Sequence, residues 1–401
     1  MLGDMETTEP LTDLIALARE LEEIAPWWRG WAEPITPAAI SRFETANEIT
    51  LPPGYRGVLE AIGDHAPVPV RPGGALARLA EATALPTTSA FLGPLDSPFP
   101  HSGSAPVELA WDEDADDYAD PLWLRGCLPL AEAGCDESSV LVVSGPDRGR
   151  VWDVTPSGSP QLHPTGLEFT SWYRRELERG LAPERARVAE LAALERRVAD
   201  DEDDVEAAVA LGRAVLVQDR AQAATLIERA WARVGPDPSV HELDRAITEL
   251  DLLTGRLDRI EALAERDGPW LRAHAGIAAA RAGADRRAIE LFAAGGHPAT
   301  LSQLVAGYHA LALWRDGQAR RALEVLRAGA TGLANVALAA QIQTELGEVE
   351  AARQRWQRVR LGLIHAVQPK PRRPQLADFI ALPCPDLPAV EAALNAAVEP
   401  I

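Results

Sequence analysis

The stretch GCLPLAEAGCDESSVLVVSGPDRGRVWDV, residues 126–154, decides how the first half of the chain folds. Two apolar runs, VLVV and RVWDV, flank the loop Gly145–Gly149. Pro146 presets a turn torsion and Gly149 tolerates a positive φ, as a tight connection between antiparallel strands requires. The stretch therefore predicts a β-hairpin.

Side chains alternate between the two faces of a strand. In the strand after the loop, Trp152 shares a face with Arg150 and Val154, and Val151 points the other way. This pattern predicts one buried face and one exposed face, with Trp152 in the core of the domain.

The same stretch lacks the residue patterns of a chemical site. Cys127 and Cys135 are eight residues apart, and neither CxxC nor HxxxH occurs in the sequence, so no zinc site is predicted. Carboxylates at Asp136 and Glu137 raise the pKa of a neighbouring thiol, whereas a nucleophilic cysteine needs it lowered. The loop also lacks the lysine of a P-loop and the spacing of GxGxxG. We predict no enzymatic activity, no catalytic residue, no metal and no cofactor.

Acidic residues are concentrated in the first half of the chain. Residues 1–180 hold 29 Asp and Glu against 12 Arg, a net charge of −17, and the remaining residues carry −4. Such a field repels nucleic acid and anionic membranes and attracts basic proteins. The sequence therefore predicts a protein partner, and neither nucleic acid nor membrane. A general solubility bias is the alternative explanation of the charge.

Three features of the sequence bear on the cellular location. No apolar run approaches the roughly 18 residues that span a bilayer, and the acidic start of the chain does not read as a secretory signal. Three cysteines are too few for a disulfide framework. We expect a cytoplasmic protein.

Composition changes near Ala186, where Ala, Leu, Arg and Glu begin to dominate. Before it, the pattern predicts a helix over Pro37–Asn47 capped by Thr36, a second helix over Tyr55–Ile62, and short strands. We predict three parts, given by residue number as 1–183, an α+β domain; 184–365, helical repeats; and 366–401, a Pro-rich linker with a short C-terminal helix.

A turn glycine is followed five residues later by alanine and four later again by a bulky residue. The copies are Gly283-Ala288-Phe292, Gly317-Ala322-Leu326, Gly347-Ala352-Trp356 and the weaker Gly255-Ile260-Ala264. Their glycines are 28, 34 and 30 residues apart, the period of stacked helical hairpins. The pattern resembles degenerate tetratricopeptide repeats over roughly residues 204–360. The acidic run VADDEDDVEA ahead of them, residues 198–207, predicts a solvated helix start or an acidic partner-binding patch.

Four pieces of the first half resemble the SUKH superfamily in their order and spacing. They are FETANEITLPPGYRGVLEAIG, FLGPLDSPFP, the hairpin stretch quoted above and FTSWYRREL. The superfamily includes fungal cell-wall-synthesis regulators and many bacterial immunity proteins. The resemblance covers roughly residues 30–183. It implies helices packed on a mainly antiparallel sheet, protein binding without catalysis, and for many bacterial members a role as the antidote of a toxin, frequently a nuclease.

The stretch WDEDADDYAD, residues 111–120, is the candidate contact with such a partner. A nuclease site is basic because it binds phosphates, and an acidic surface imitates them. Aromatic anchors inside a charged ring are typical of interaction hot spots. The candidate partner-binding residues are Trp111, Asp112, Glu113, Asp114, Asp116, Asp117 and Tyr118. The alternative is a mobile acidic loop.

Together these observations predict an immunity protein that neutralises a toxin effector, with a basic nuclease toxin as its partner. The alternative is a regulatory scaffold whose helical repeats recruit client proteins. The identity of the partner, the binding surface and the oligomeric state stay open at this point.

Overall fold

A computed structural model gives the architecture of most of the chain. The structure describes residues 8–28, 33–69, 75–79, 93–108, 123–134, 137–155, 161–235, 241–266, 269–295, 302–329, 332–365, 375–382, 384 and 387–396. The chain forms two compact units, which divide between Ala189 and Glu190.

The first unit combines helices with a sheet. Its elements are α1 (Thr8–Ile24), a short 3-10 turn (Pro26–Trp28), α2 (Pro37–Ala46), α3 (Pro53–Ala61), β1 (Val107–Glu108), β2 (Cys127–Gly134), β3 (Glu137–Val142), β4 (Arg150–Thr155), β5 (Gln161–Glu168) and the first part of α4 (Phe169–Asp200). The five strands of this described sheet lie in the order β1-β5-β4-β3-β2, and each neighbouring pair is antiparallel.

Local chemistry explains where the early helices begin. Thr36 is the N-cap of α2, and its side chain accepts a hydrogen bond from the backbone N–H of Ala39 at 3.3 Å. Pro37 occupies the first helical turn, where its missing N–H leaves nothing unsatisfied. The predicted cap and helix are confirmed.

Helices cover one face of the sheet. We call the buried residues between them the helix-side cluster, and it includes Leu14 of α1, Val58 of α3, Trp172 of α4, and Leu141 and Val151 of the sheet. The predicted α+β arrangement, helices on an antiparallel sheet, is confirmed.

The other face of the sheet is also buried. Its second-face cluster consists of Phe99, Leu124, Cys127, Val140, Val142, Trp152, Val154 and Leu162. Trp152 is fully buried, as predicted, but the expected exposed face is wrong because Val151 on the opposite side is buried as well. Phe99 and Leu124 supply the cover from segments outside the strands. Burial on both faces explains why the second half of β3, Val140–Val142, is continuously apolar.

The second unit is helical. Its elements after the end of α4 are α5 (Val205–Val215), α6 (Arg220–Val234), α7 (His241–Thr254), α8 (Leu257–Arg266), α9 (Pro269–Arg281), α10 (Asp285–Gly295), α11 (Ser302–Arg315), α12 (Ala319–Gly329), α13 (Leu333–Glu345), α14 (Val349–His365), α15 (Leu376–Phe379) and α16 (Leu387–Ala396). The helices α5 to α14 form five consecutive hairpins in this described region, and the first helices of successive hairpins contact one another.

The four turn glycines of the repeat pattern do what the pattern predicts. Gly255, Gly283, Gly317 and Gly347 have φ values of +78°, +77°, +81° and +75°, and each lies in the turn that ends a first helix. The amide after Gly283, that of Ala284, donates to a carbonyl five residues back, which closes the helix end. The alanines that follow three of these glycines by five residues are fully buried, at Ala288, Ala322 and Ala352.

The boundary between the units lies inside a helix. Both residue 183, where the sequence predicts the boundary, and Ala189 belong to α4. The acidic run 198–207 spans the end of α4 and the start of α5, where Asp204 is the N-cap and accepts a hydrogen bond from the amide of Ala207 at 2.9 Å. Trp172 and Leu211 belong to separate cores.

None of the described helices is long and apolar enough to cross a membrane.

Candidate protein-interaction site

The acidic stretch predicted to bind a partner lies outside the described residues, at Trp111, Asp112, Glu113, Asp114, Asp116, Asp117 and Tyr118. The structure does describe the residues on either side of it. Val107 of β1 and Trp123 both pack against the second-face cluster. The chain on either side of the acidic stretch is therefore anchored on the same face of the sheet.

Two glycines let the segment Pro94–Phe99 lie directly on the sheet. Gly126 has a φ of +69°, and a Cβ there would lie 2.4 Å from the carbonyl oxygen of Ser97. Gly145 has a φ of +106°, and a Cβ there would lie 2.9 Å from the amide nitrogen of Phe99. That amide donates to the carbonyl of Ser144 at 2.9 Å. These glycines are needed because the two backbones approach each other closely.

The turn before α3 is held from two sides. Glu44 of α2 accepts hydrogen bonds from the amide of Leu51 at 2.8 Å and from the Arg56 guanidinium at 2.7 Å. Arg148, at the tip of the β3–β4 hairpin, donates to the carbonyl oxygens of Thr50 and Leu51, each at 2.9 Å. Two of the pieces quoted for the family resemblance are therefore bonded to each other.

The loop Gly145–Gly149 is a hairpin connection, as predicted. The amide of Gly149 donates to the carbonyl of Val142 at 2.8 Å, and that of Arg148 to Gly145 at 3.2 Å. Gly149 takes the expected positive φ, +92°. The loop amides therefore hold the turn together.

The cysteine in β2 is structural. Cys127 is fully buried in the second-face cluster, and burial raises the pKa of its thiol well above the ordinary value. A thiol that stays protonated is a poor nucleophile. Cys135 lies outside the described residues.

Sequence reasoning missed a polar row that crosses three strands. Ser139 of β3 lies opposite Asp153 of β4, which lies opposite His163 of β5. The hydroxyl of Ser139 is fully buried and donates to the Asp153 carboxylate. A nucleophilic triad needs histidine between serine and aspartate, because the imidazole must take the serine proton. Here aspartate holds the middle position, so the row does not have the order of that triad.

The part of the chain that the structure describes holds no cluster of metal ligands. No group of three or more His, Cys, Asp or Glu side chains converges there.

A charged network holds three helices of the second unit together. Arg259 of α8 donates to Glu228 of α6 at 2.8 Å and also bonds Asp251 of α7. The hydrogen bond from Arg259 holds the pKa of Glu228 below its ordinary value. Burial raises the pKa of Asp251 despite the same arginine. The perturbed carboxylates belong to an ion-pair network that joins neighbouring hairpins, which is a structural role.

Successive hairpins are also joined by a repeated arginine. Arg281, two residues before Gly283, donates to the carbonyl of Leu252 near the end of α7 at 3.0 Å. Arg315, two residues before Gly317, donates to Ala280 near the end of α9 at 3.2 Å. A cation at a helix C-terminus interacts favourably with the exposed carbonyls. The signal for this contact was present in the sequence as an arginine at a fixed distance from the turn glycine.

Comparison with known proteins adds no family assignment. No protein-family model matches the chain, and no curated protein matches it significantly.

Proposed function

We propose that this chain is a non-enzymatic protein-binding protein of the cytoplasm, an immunity protein that neutralises a bacterial toxin effector. Its partner is a basic toxin domain of the nuclease type. The single observation that carries the proposal is the charge distribution, a net −17 within residues 1–180 against −4 in the remainder.

The acidic field acts in two ways. At a distance it steers a basic protein toward the first unit and raises the association rate. At contact, carboxylates occupy the places where the phosphates of a nuclease substrate bind. Trp111 and Tyr118 supply the aromatic area that makes a contact slow to dissociate. The resemblance to immunity proteins supports the same role for residues 30–183.

The described scaffold suits such a contact. Val107 and Trp123, which flank the acidic stretch, pack on a sheet that is buried on both faces. A contact segment that begins and ends on a rigid framework loses less conformational entropy when it binds.

The experiment is affinity capture by the full chain from extracts of its native cells, followed by binding kinetics with the captured protein at 0.1 M and about 1 M salt. The Debye length falls from about 10 Å to about 3 Å over that range, so association slows. The test variant neutralises Asp112, Glu113, Asp114, Asp116 and Asp117 to their amides. The matched control removes the same number of charges from exposed positions of the second half, at Glu190, Glu195, Asp200, Glu202 and Glu324.

We expect the test variant to associate at least tenfold more slowly than the wild type, and the control to differ little. Trp111→Ala and Tyr118→Ala should accelerate dissociation instead. Co-expression with the captured protein must also relieve its toxicity. The proposal is contradicted if the association rate of the captured partner changes neither with salt concentration nor with the five substitutions.

A regulatory scaffold is the second candidate. It is favoured by the five described helical hairpins between Val205 and His365, an architecture that presents an extended surface to client proteins. A captured partner that is not a toxin and that is insensitive to the changes at 111–118 supports this alternative.

A further inference from the structure

A short segment near the C-terminus packs against the repeats. Residues 375–382, with the sequence QLADFIAL, follow the Pro-rich stretch and contain the single helical turn α15. The sequence predicts a linker here. The structure instead places Ile380 and Leu382 in the same buried cluster as the repeat helices, with 1% and 7% of their surfaces exposed.

Side chains of the repeats hold the main chain of this segment. Arg281, at the end of α9, donates to the carbonyl oxygen of Phe379 at 3.3 Å. The Tyr308 hydroxyl of α11 donates to the carbonyl oxygen of Ala381 at 3.2 Å. Both acceptors are backbone groups, so these two bonds do not depend on which side chains the segment carries.

Two apolar side chains of the segment, Leu382 and Phe379, also contact the repeats. A Cβ at Gly307 of α11 would lie 3.1 Å from Cδ2 of Leu382 and closer still to the amide oxygen of Asn335, so the glycine leaves space for both side chains. The guanidinium of Arg220, the first residue of α6, lies 5.1 Å from the centre of the Phe379 ring. The segment is thus contacted by residues of the first, third and fourth hairpins.

The segment has the properties of a bound peptide. It is short, its one helical turn is closed internally by a capping box between Gln375 and Asp378, and Phe379 remains 37% exposed. Main-chain bonds at two positions with aliphatic side chains buried beside them are how an extended peptide is recognised on a protein surface. Its covalent connection to α14 through residues 366–374 makes the binding intramolecular and raises its effective concentration.

We propose that the face around Arg281, Gly307 and Tyr308 is a peptide-binding surface, and that residues 375–382 are its internal ligand. A partner polypeptide with aliphatic side chains two residues apart, as in Ile380 and Leu382, competes for the same face. This surface lies on the repeats and is independent of the acidic stretch in the first unit.

The test uses the full chain and a fluorescein-labelled peptide of sequence PQLADFIAL, residues 374–382. Ile380→Asp places a charge in the apolar site and should release the internal segment. Ala381→Asp is the matched control, because it adds the same charge at an exposed position of the same segment. Leu382→Ala is a second, milder way to loosen the segment. Binding is followed by fluorescence anisotropy and folding by circular dichroism.

We expect Ile380→Asp to bind the peptide at least tenfold more tightly than either the wild type or Ala381→Asp. Adding Tyr308→Phe to that variant should weaken binding severalfold, and a peptide that carries Asp in place of Ile380 should not bind. If Ile380→Asp unfolds the repeats, tighter binding by Leu382→Ala supports the proposal. The proposal is overturned if neither released variant binds the peptide more tightly than the wild type.

Discussion

Gly276 of α9 lies so close to Phe292 of α10 that a Cβ at position 276 would be 2.6 Å from the aromatic ring. The bulky residue of the repeat pattern therefore packs directly against the backbone of the first helix in its hairpin. A glycine in the middle of a helix normally lowers the stability of the helix by about 1 kcal/mol relative to alanine. Here the close packing of Phe292 that the glycine permits offsets this loss.

Gly276→Ala should therefore destabilise the second unit by about 1–3 kcal/mol, despite the better helix propensity of alanine, because the added methyl overpacks the hairpin. Thermal unfolding measures the loss. Phe292→Leu destabilises by itself, but it should make Gly276→Ala less costly, and a double-mutant cycle isolates that coupling. If the effects of the two substitutions on stability are additive, the contact between Gly276 and Phe292 does not cause the destabilisation by Gly276→Ala.

Trp152→Ala should destabilise the first unit by about 3–5 kcal/mol, because a fully buried ring leaves a cavity among Phe99, Val140 and the rest of the second-face cluster. Urea unfolding followed by circular dichroism measures the change. Trp123→Ala, which removes a partly buried ring beside the same cluster, serves as the control and should cost less. Equal losses for the two would contradict the assignment of Trp152 to the core.

Arg148→Ala should destabilise the first unit by about 1 kcal/mol, because the carbonyls of Thr50 and Leu51 lose a charged donor. Arg150→Ala, an exposed residue of the same hairpin, controls for the loss of charge and should change stability by less than about 0.5 kcal/mol. Hydrogen exchange at the amides around Leu51 should accelerate only in the Arg148 variant. Unchanged exchange there would show that the hairpin tip does not hold the turn.

Asp204 gives a pH prediction with a defined sign. The hydrogen bond from the Ala207 amide, and next the pairing with Arg197, hold the pKa of this carboxyl below its ordinary value. A group whose pKa is lower in the folded state stabilises that state above the ordinary aspartate pKa, about 3.9. It loses this contribution as the pH falls through the folded-state pKa.

Asp204→Asn keeps a good N-cap and removes the titration. The stability advantage of the wild type over this variant should be complete at neutral pH and should disappear as the pH falls below about 4. The free energy of unfolding of both proteins is measured with urea across the acidic pH range. The contributions of the other carboxylates are the same in both proteins and cancel in the difference. An advantage that does not change with pH would contradict the prediction.

Local sequence patterns could predict the repeats because each hairpin is built from near neighbours. The positive φ of Gly317 and the burial of Ala322 depend on a turn and a helix contact only five residues apart. The hairpin loop Gly145–Gly149 was predictable for the same reason. The burial of this strand was predictable only in part, because Trp152 was expected in the core but the opposite residue, Val151, is covered by helices such as α1 and α3 that are far away in sequence.

Strands β2 and β5 were not predicted from the sequence, because each contains a proline, and proline is unfavourable inside a strand. Pro129 lies in β2, which is an edge strand, and the pairing of β2 with β3 shifts register just after it. Pro164 lies in β5, beyond the two residues that pair with the short β1. A proline is tolerated where no neighbour needs its missing N–H, and only the completed sheet shows where those places are.

The candidate contact at Trp111 to Tyr118 stays a prediction from charge and resemblance. The peptide-binding face on the repeats could not be foreseen, because Arg281 and Phe379 are separated by 98 residues. The apolar stretch FIAL, residues 379–382, is too short to predict from sequence that this Pro-rich region packs against the repeats. The contact between Arg281 and Phe379 can be recognised only in the folded structure.

The last part of the chain touches the repeats at two separate places. Residues 375–382 lie against α9 and α11, and α16 packs on α14, with Val390 buried beside Trp356. We therefore expect a chain cleaved within residues 366–374 to keep its C-terminal fragment bound to the repeats, although loss of the covalent tether lowers the effective concentration of that fragment.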